Sequence, residues 1–285
     1  MRTEGLPRLK IFSYLPNPRV WKAVIAGKIC GVEVEIIGDE ANKLGRWLWD
    51  FRPKRLEKDE LKAVNRFRRK ARRGFSGDLY KTDSFLETHP FGTLPAAFSS
   101  DGTVGIFESN SILRAVARIG KEGNLYGKNH YEASRIDSFL DANLVFAREA
   151  QVYLLDCENL SKEGYDRMAM AYEFYASGIE ATLKKNLYIA GESLSIADIS
   201  FACDLSQFLR EGHYAERLRD QGFHLITENF DTDYPKTYEH LLRLAGKRGV
   251  LFCFWFISRL VQSRVNKLKR RLQIMIFPRR LSLEK

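Results

Sequence analysis

Thr88-His-Pro-Phe-Gly-Thr-Leu-Pro95-Ala-Ala-Phe98, then Asp101-Gly102, then Ile106-Phe-Glu108-Ser109-Asn-Ser-Ile112 is the stretch that decides the fold. The order reads as strand, two-residue hairpin turn, strand and helix. Proline cannot donate to a ladder, so Pro95 fits the first residue of a strand or a tight bend, and a cis Leu94-Pro95 bond is expected. Such a bend leaves the N–H and C=O of Leu94 to an outside partner. Glu108-Ser109 then opens a helix, where free amides and the helix dipole attract a carboxylate. The unit reads as a site for a small peptide-like anion.

A second element lies downstream, Tyr188-Ile-Ala-Gly191-Glu-Ser-Leu-Ser195-Ile-Ala-Asp198-Ile199. Ser195 and Asp198 are three apart before an apolar run, so each side chain can accept from the other's backbone amide in a capping box, with Leu194 and Ile199 as a hydrophobic staple. Their role is structural, a cap worth about 0.5–2 kcal/mol. The two motifs in this order resemble the glutathione-binding half and the helical half of the glutathione S-transferase superfamily. Tyr14-Leu-Pro-Asn17-Pro-Arg19-Val-Trp-Lys22-Ala resembles most the transferase-like module of the translation elongation factor 1 gamma subunit and its stand-alone relatives. The resemblance covers about residues 9–38 and 80–246.

Composition bounds the alternatives. Hydrophobic residues at 45% and charged residues at 29% are ordinary for a soluble globular protein. The net charge of +10 suggests nucleic acid, but residues 247–285 carry eleven Lys/Arg and one acid, which leaves 35 bases and 35 acids in the rest. A neutral body gives no steering of nucleic acid, so no direct nucleic-acid partner is expected. Cys30, Cys157, Cys203 and Cys253 have no ligand or pairing spacing, and the histidines form no metal pattern. With no signal-peptide pattern, this favours a reducing, cytoplasmic setting and no metal.

Along the chain, residues 9–14 read as a strand, 19–29 as a helix and 32–37 as a parallel strand. With the later hairpin and helix this is a thioredoxin-like order. The expected domains are residues 1–122, with a basic insert at about 39–84, an all-helical domain over 128–246, and a basic-apolar tail from 247. The fold class is therefore α/β plus all-α. The helical half reads as amphipathic segments over 131–155, 165–183 and 196–209, with a last helix over 234–244. The insert carries Trp47-Leu-Trp49 and Arg66-Phe-Arg-Arg-Lys-Ala-Arg-Arg73, with fourteen bases against eight acids. It reads as a surface helix, or as an electropositive rim and docking face. For the tail, too short an apolar run to span a bilayer, a membrane-surface or partner-binding helix, a helix packed on the body and an unselected stretch all stay open.

The resemblance implies glutathione as cosubstrate, an electrophilic apolar second substrate and a homodimer as an option. Leu94 would pair with the cysteinyl backbone, Pro95 would fix the bend, and Glu108 and Ser109 would bind the γ-glutamyl end. A free thiol has a pKa of about 8.5, so a donor must stabilise the thiolate. Candidates at the end of the first strand are Tyr14, with Ser13 and Asn17 as alternatives. Ser13 and Tyr14 face opposite ways in a strand, so only one can point at the site. Phe146, Arg148 and Tyr153 are second-substrate candidates. A non-catalytic interaction module like the gamma subunit is the alternative reading.

Overall fold

The computed structural model describes residues 8–71 and 75–246. The tail, and Arg72 and Arg73 of the basic run, lie outside the described residues, as do the readings placed on them. β1 (Arg8–Tyr14), α1 (Pro18–Cys30) and β2 (Glu33–Asp39) form the crossover unit, with β1 and β2 parallel and Tyr14 opposite Asp39. Asn17 caps α1, accepting from the Arg19 amide at 3.0 Å with Pro18 in the first turn, and Gly31 ends the helix at φ 69°.

The insert overturns the expected surface helix. It holds β3 (Trp47–Trp49), β4 (Lys54–Arg55), the four-residue α2 (Glu60–Ala63), β5 (Arg68–Lys70) and β6 (Asp78–Lys81), joined as a second sheet in the order β4-β3-β6-β5. The cause is aromatic burial. Trp49 is 0% exposed, its indole N–H donates to the Leu44 carbonyl at 3.2 Å, and Phe12, Phe75 and Phe85 meet it edge-on at 5.6–5.9 Å. Trp49 is thus core rather than docking face, and half-buried Trp47 is turned to Asp39. Part of the basic run becomes the edge strand β5, where Arg68 pairs with Asp78 at 2.6 Å and Arg69 with Asp83 at 3.2 Å.

After α3 (Asp83–Thr88), β7 (Ala96–Phe98) runs antiparallel to β1, β8 (Gly105–Phe107) antiparallel to β7, and α4 (Ser109–Ile119) follows. The main sheet is β2-β1-β7-β8. Its hairpin connection is longer than the expected two residues. Asp101 accepts from Ser99 Oγ at 2.5 Å and from the Thr103 amide at 3.1 Å, so side chains close the loop that the ladder would otherwise have closed.

Alternation along β1 divides the interior. Leu9 and Ile11 join the core shared with α1, α4 and the helical half, whereas Phe12 joins the insert's aromatic core. The helical half comprises α5 (His130–Asp156), α6 (Lys162–Leu183), α7 (Ile196–Phe208), the short α8 (Ala215–Asp220) and α9 (Phe230–Asp233), and α10 (Pro235–Ala245). The expected amphipathic stripe of α7 is not what forms: all its residues but Gln207 are buried, which makes it the central helix. Its acids and hydroxyls must therefore find partners inside.

Candidate functional site

Strand register brings the expected residues to one end of the sheet. Phe12 lies opposite Ala96, and Ala96 opposite Phe107. Continuing the register past those pairs puts Tyr14, Leu94 and Ser109 at the same edge, the carboxyl end of the parallel pair, where α1 and α4 both begin. Ligands of α/β sheets bind at such ends, and two helix N-termini make this one attractive to anions.

The Leu94-Pro95 bond is cis. Among the described residues no hydrogen bond uses the Leu94 N–H or C=O, so both stay available to an added extended peptide. The loop before it is tied to the insert by Lys81, a residue the sequence reading missed. Its ammonium donates to the Gly92 carbonyl at 2.7 Å and lies 4.6 Å above the Trp49 ring. Burial, reinforced by the Arg69 charge, lowers the Lys81 pKa.

Glu108 holds φ 65°, ψ 127°, a region that L side chains avoid at a cost of about 1–3 kcal/mol. Its exposed carboxylate makes no cap, and the kink sets Ser109 as the first residue of α4. Ser109 Oγ is buried and accepts from Lys22 Nζ at 3.3 Å. Lys22, on α1, also donates to Asn110 Oδ1 at 2.8 Å and to Asp204 Oδ2 on α7 at 2.6 Å. Ser200 continues the chain, 2.8 Å from Asn110 Oδ1. This polar thread from the sheet to the helical half was also missed. A lysine and an aspartate set in apolar helical runs were its only signal, since such residues are buried only when paired.

The three donor candidates separate cleanly. Asn17 and Ser13 are both fully buried, and the Asn17 amide donates to Ser13 Oγ at 3.0 Å while its oxygen caps α1. Neither faces an open space. Tyr14 is half-buried, its ring 6.3 Å from Phe75 of the insert, and its hydroxyl has no hydrogen-bond partner among the described residues. Burial raises its pKa, against the opposing pull of the Arg19 and Arg210 charges, so it stays a protonated donor at neutral pH.

Two of the three second-substrate candidates lie in the core. Phe146 is 1% exposed and stacks on Tyr175 at 4.6 Å, and Tyr153 is 2% exposed with its hydroxyl on Glu211 at 3.1 Å. Both sit on the core-facing stripe of α5, as its helical spacing requires, and cannot line a substrate surface. Arg148, one residue off that stripe, is exposed. Ser195 and Asp198 form the capping box. Asp198 does more: it accepts from the Ser195 amide at 2.9 Å, the Ile189 amide at 3.0 Å and His240 Nε2 at 2.8 Å, clamping α10 onto the cap.

No family model matches the chain. It is 29% identical over 170 residues to elongation factor 1-gamma 2 of Oryza sativa subsp. japonica, 54% of this chain and 34% of that protein. It is 30% identical over 135 residues to glutathione S-transferase F9 of Arabidopsis thaliana, 42% of this chain and 60% of that protein. Among solved structures, a glutathione transferase of Phanerochaete chrysosporium in complex with oxidized glutathione superposes with TM-score 0.58 at 14% identity, over 89% of this chain and 98% of that one. The chain thus spans about a third of the length of the elongation factor relative. The architecture is the glutathione S-transferase fold, a thioredoxin-like half followed by an all-helical half. In sequence the chain resembles elongation factor 1-gamma proteins and plant glutathione S-transferases.

Proposed function

We propose that the chain binds glutathione and transfers it to an electrophile. The observation that carries this reading is the juxtaposition, by register, of an unpaired Leu94 backbone, the Ser109 end of α4 and the unbonded Tyr14 phenol. The Leu94 N–H and C=O take the cysteinyl backbone as one more antiparallel rung. Ser109 and the α4 amides take the γ-glutamyl carboxylate, with Glu108 beside them. The sulfur then lies toward the start of α1, where Tyr14 donates to the thiolate. The thiolate attacks the electrophilic carbon, an S–C bond forms, and the leaving group departs with its electron pair.

In the same proposal the electrophile is apolar, with Arg148 as its one remaining side-chain candidate, and the protein works in the cytoplasm as a homodimer. Among the described residues no helix is long and apolar enough to cross a membrane. Retention on immobilised glutathione, followed by conjugation to a generic aryl halide, tests the reading. Retention with turnover is expected; failure of both overturns it. Retention without turnover selects the second reading, an interaction module, which the elongation factor 1-gamma relatives and the Phe75 ring against Tyr14 favour.

A further inference from the structure

The buried Lys22–Asp204 pair joins the two halves of the molecule at the one place where a ligand carboxylate is proposed to bind. Lys22 is 1% exposed and Asp204 2%, and their atoms lie 2.6 Å apart. An ammonium has three donors and no acceptor, and here all three are used, on Asp204, Asn110 and Ser109. The consequence falls on Ser109. Its oxygen can only accept from Lys22, so its single proton must point elsewhere, and no acceptor within the described residues takes it. Asp204 Oδ1 has no hydrogen-bond partner, so the carboxylate leans on Lys22 alone. The pair is a buried dipole with its positive end against Ser109.

We propose that Lys22 is the positioning residue that makes Ser109 an anion donor, turning its hydroxyl proton toward the ligand and polarising it, so that the site selects a γ-glutamyl group with a free α-carboxylate. This deepens the glutathione reading and rests on it. Hydrogen bonds in series strengthen one another at low dielectric, and a donor polarised by a cation binds a carboxylate better than an isolated hydroxyl.

The test compares glutathione with 4-aminobutanoyl-cysteinylglycine, which lacks only the α-carboxylate, by calorimetric titration of the whole chain. The wild type should prefer glutathione by about tenfold or more, the scale of one charge-assisted hydrogen bond. Lys22→Met/Asp204→Leu removes both charges without stranding either, an exchange that buried pairs often tolerate. Its preference should fall by about threefold or more. Asp204→Asn removes the counter-charge but keeps the ammonium, so it should keep or enlarge the preference. Full preference in a folded Lys22→Met/Asp204→Leu protein overturns the inference while leaving glutathione binding intact. So does equal loss in Asp204→Asn, which marks the pair as structural only and decides the matter even if the double variant fails to fold. A wild type that does not bind glutathione overturns the parent reading and this inference with it.

Discussion

Tyr14, Ser109 and Asp198 carry the consequences at the scale of single residues. Tyr14→Phe keeps the ring against Phe75 but deletes the donor. Turnover near neutral pH should fall about 10–100-fold with little change in glutathione affinity, and kcat measured beside the dissociation constant separates the two. Burial holds Tyr14 above its ordinary pKa of 10.0, so kcat should rise with pH through ionisation of the bound thiol, with no acid-side contribution from the phenol. Ser109→Ala should cost roughly 1.5–3 kcal/mol of glutathione binding by calorimetry. Asp198→Ala should cost more than a simple cap. Removing it strands a ring nitrogen and two buried amides, so about 2–4 kcal/mol of stability is expected in urea melts. A loss below about 1 kcal/mol would mean that α10 can leave the cap without penalty.

Elements add a second tier. The insert sheet hangs on Trp49, and Trp49→Ala should destabilise by about 3–5 kcal/mol, read from the denaturation midpoint. A surface helix, the form expected from the basic run, would feel no such loss. The difference between reading and structure here is physical. Charge in Arg66–Lys70 drew attention to solvent, yet Trp47-Leu-Trp49 and Leu79 are short runs whose strand pairing depends on partners over thirty residues away, beyond any local pattern. The hairpin loop gives a pH prediction. Its hydrogen bonds, led by Ser99 and then Thr103, hold the Asp101 carboxyl near a pKa of about 2 instead of 3.8. The folded value is the lower one, so the contribution is complete above about pH 4 and is lost as pH falls toward 2. Amide exchange at Thr103 should accelerate across that window, and Asp101→Asn should flatten the response.

At the scale of the molecule, local signals placed most of the fold. β1, α1, β2 and the four long helices were legible because periodicity, Pro18, Gly31 and the Ser195 box act over a few residues. Leu94 and Ser109 were legible as a pair, since a hairpin joins them. The positive φ of Glu108, the Lys81 tether and the Lys22–Asp204 thread were not, because each depends on an element distant in sequence. For the same reason Phe146 and Tyr153 could be put on a helix but not on the correct side of it.

One measurement bears on the centre of this account: the thiol pKa of bound glutathione, followed by thiolate absorbance during a pH titration of the complex in the wild type and in Tyr14→Phe. The value should lie well below the free-thiol value of about 8.5 in the wild type and return toward it in the variant. A bound thiol that titrates as the free one does in both proteins would contradict the account.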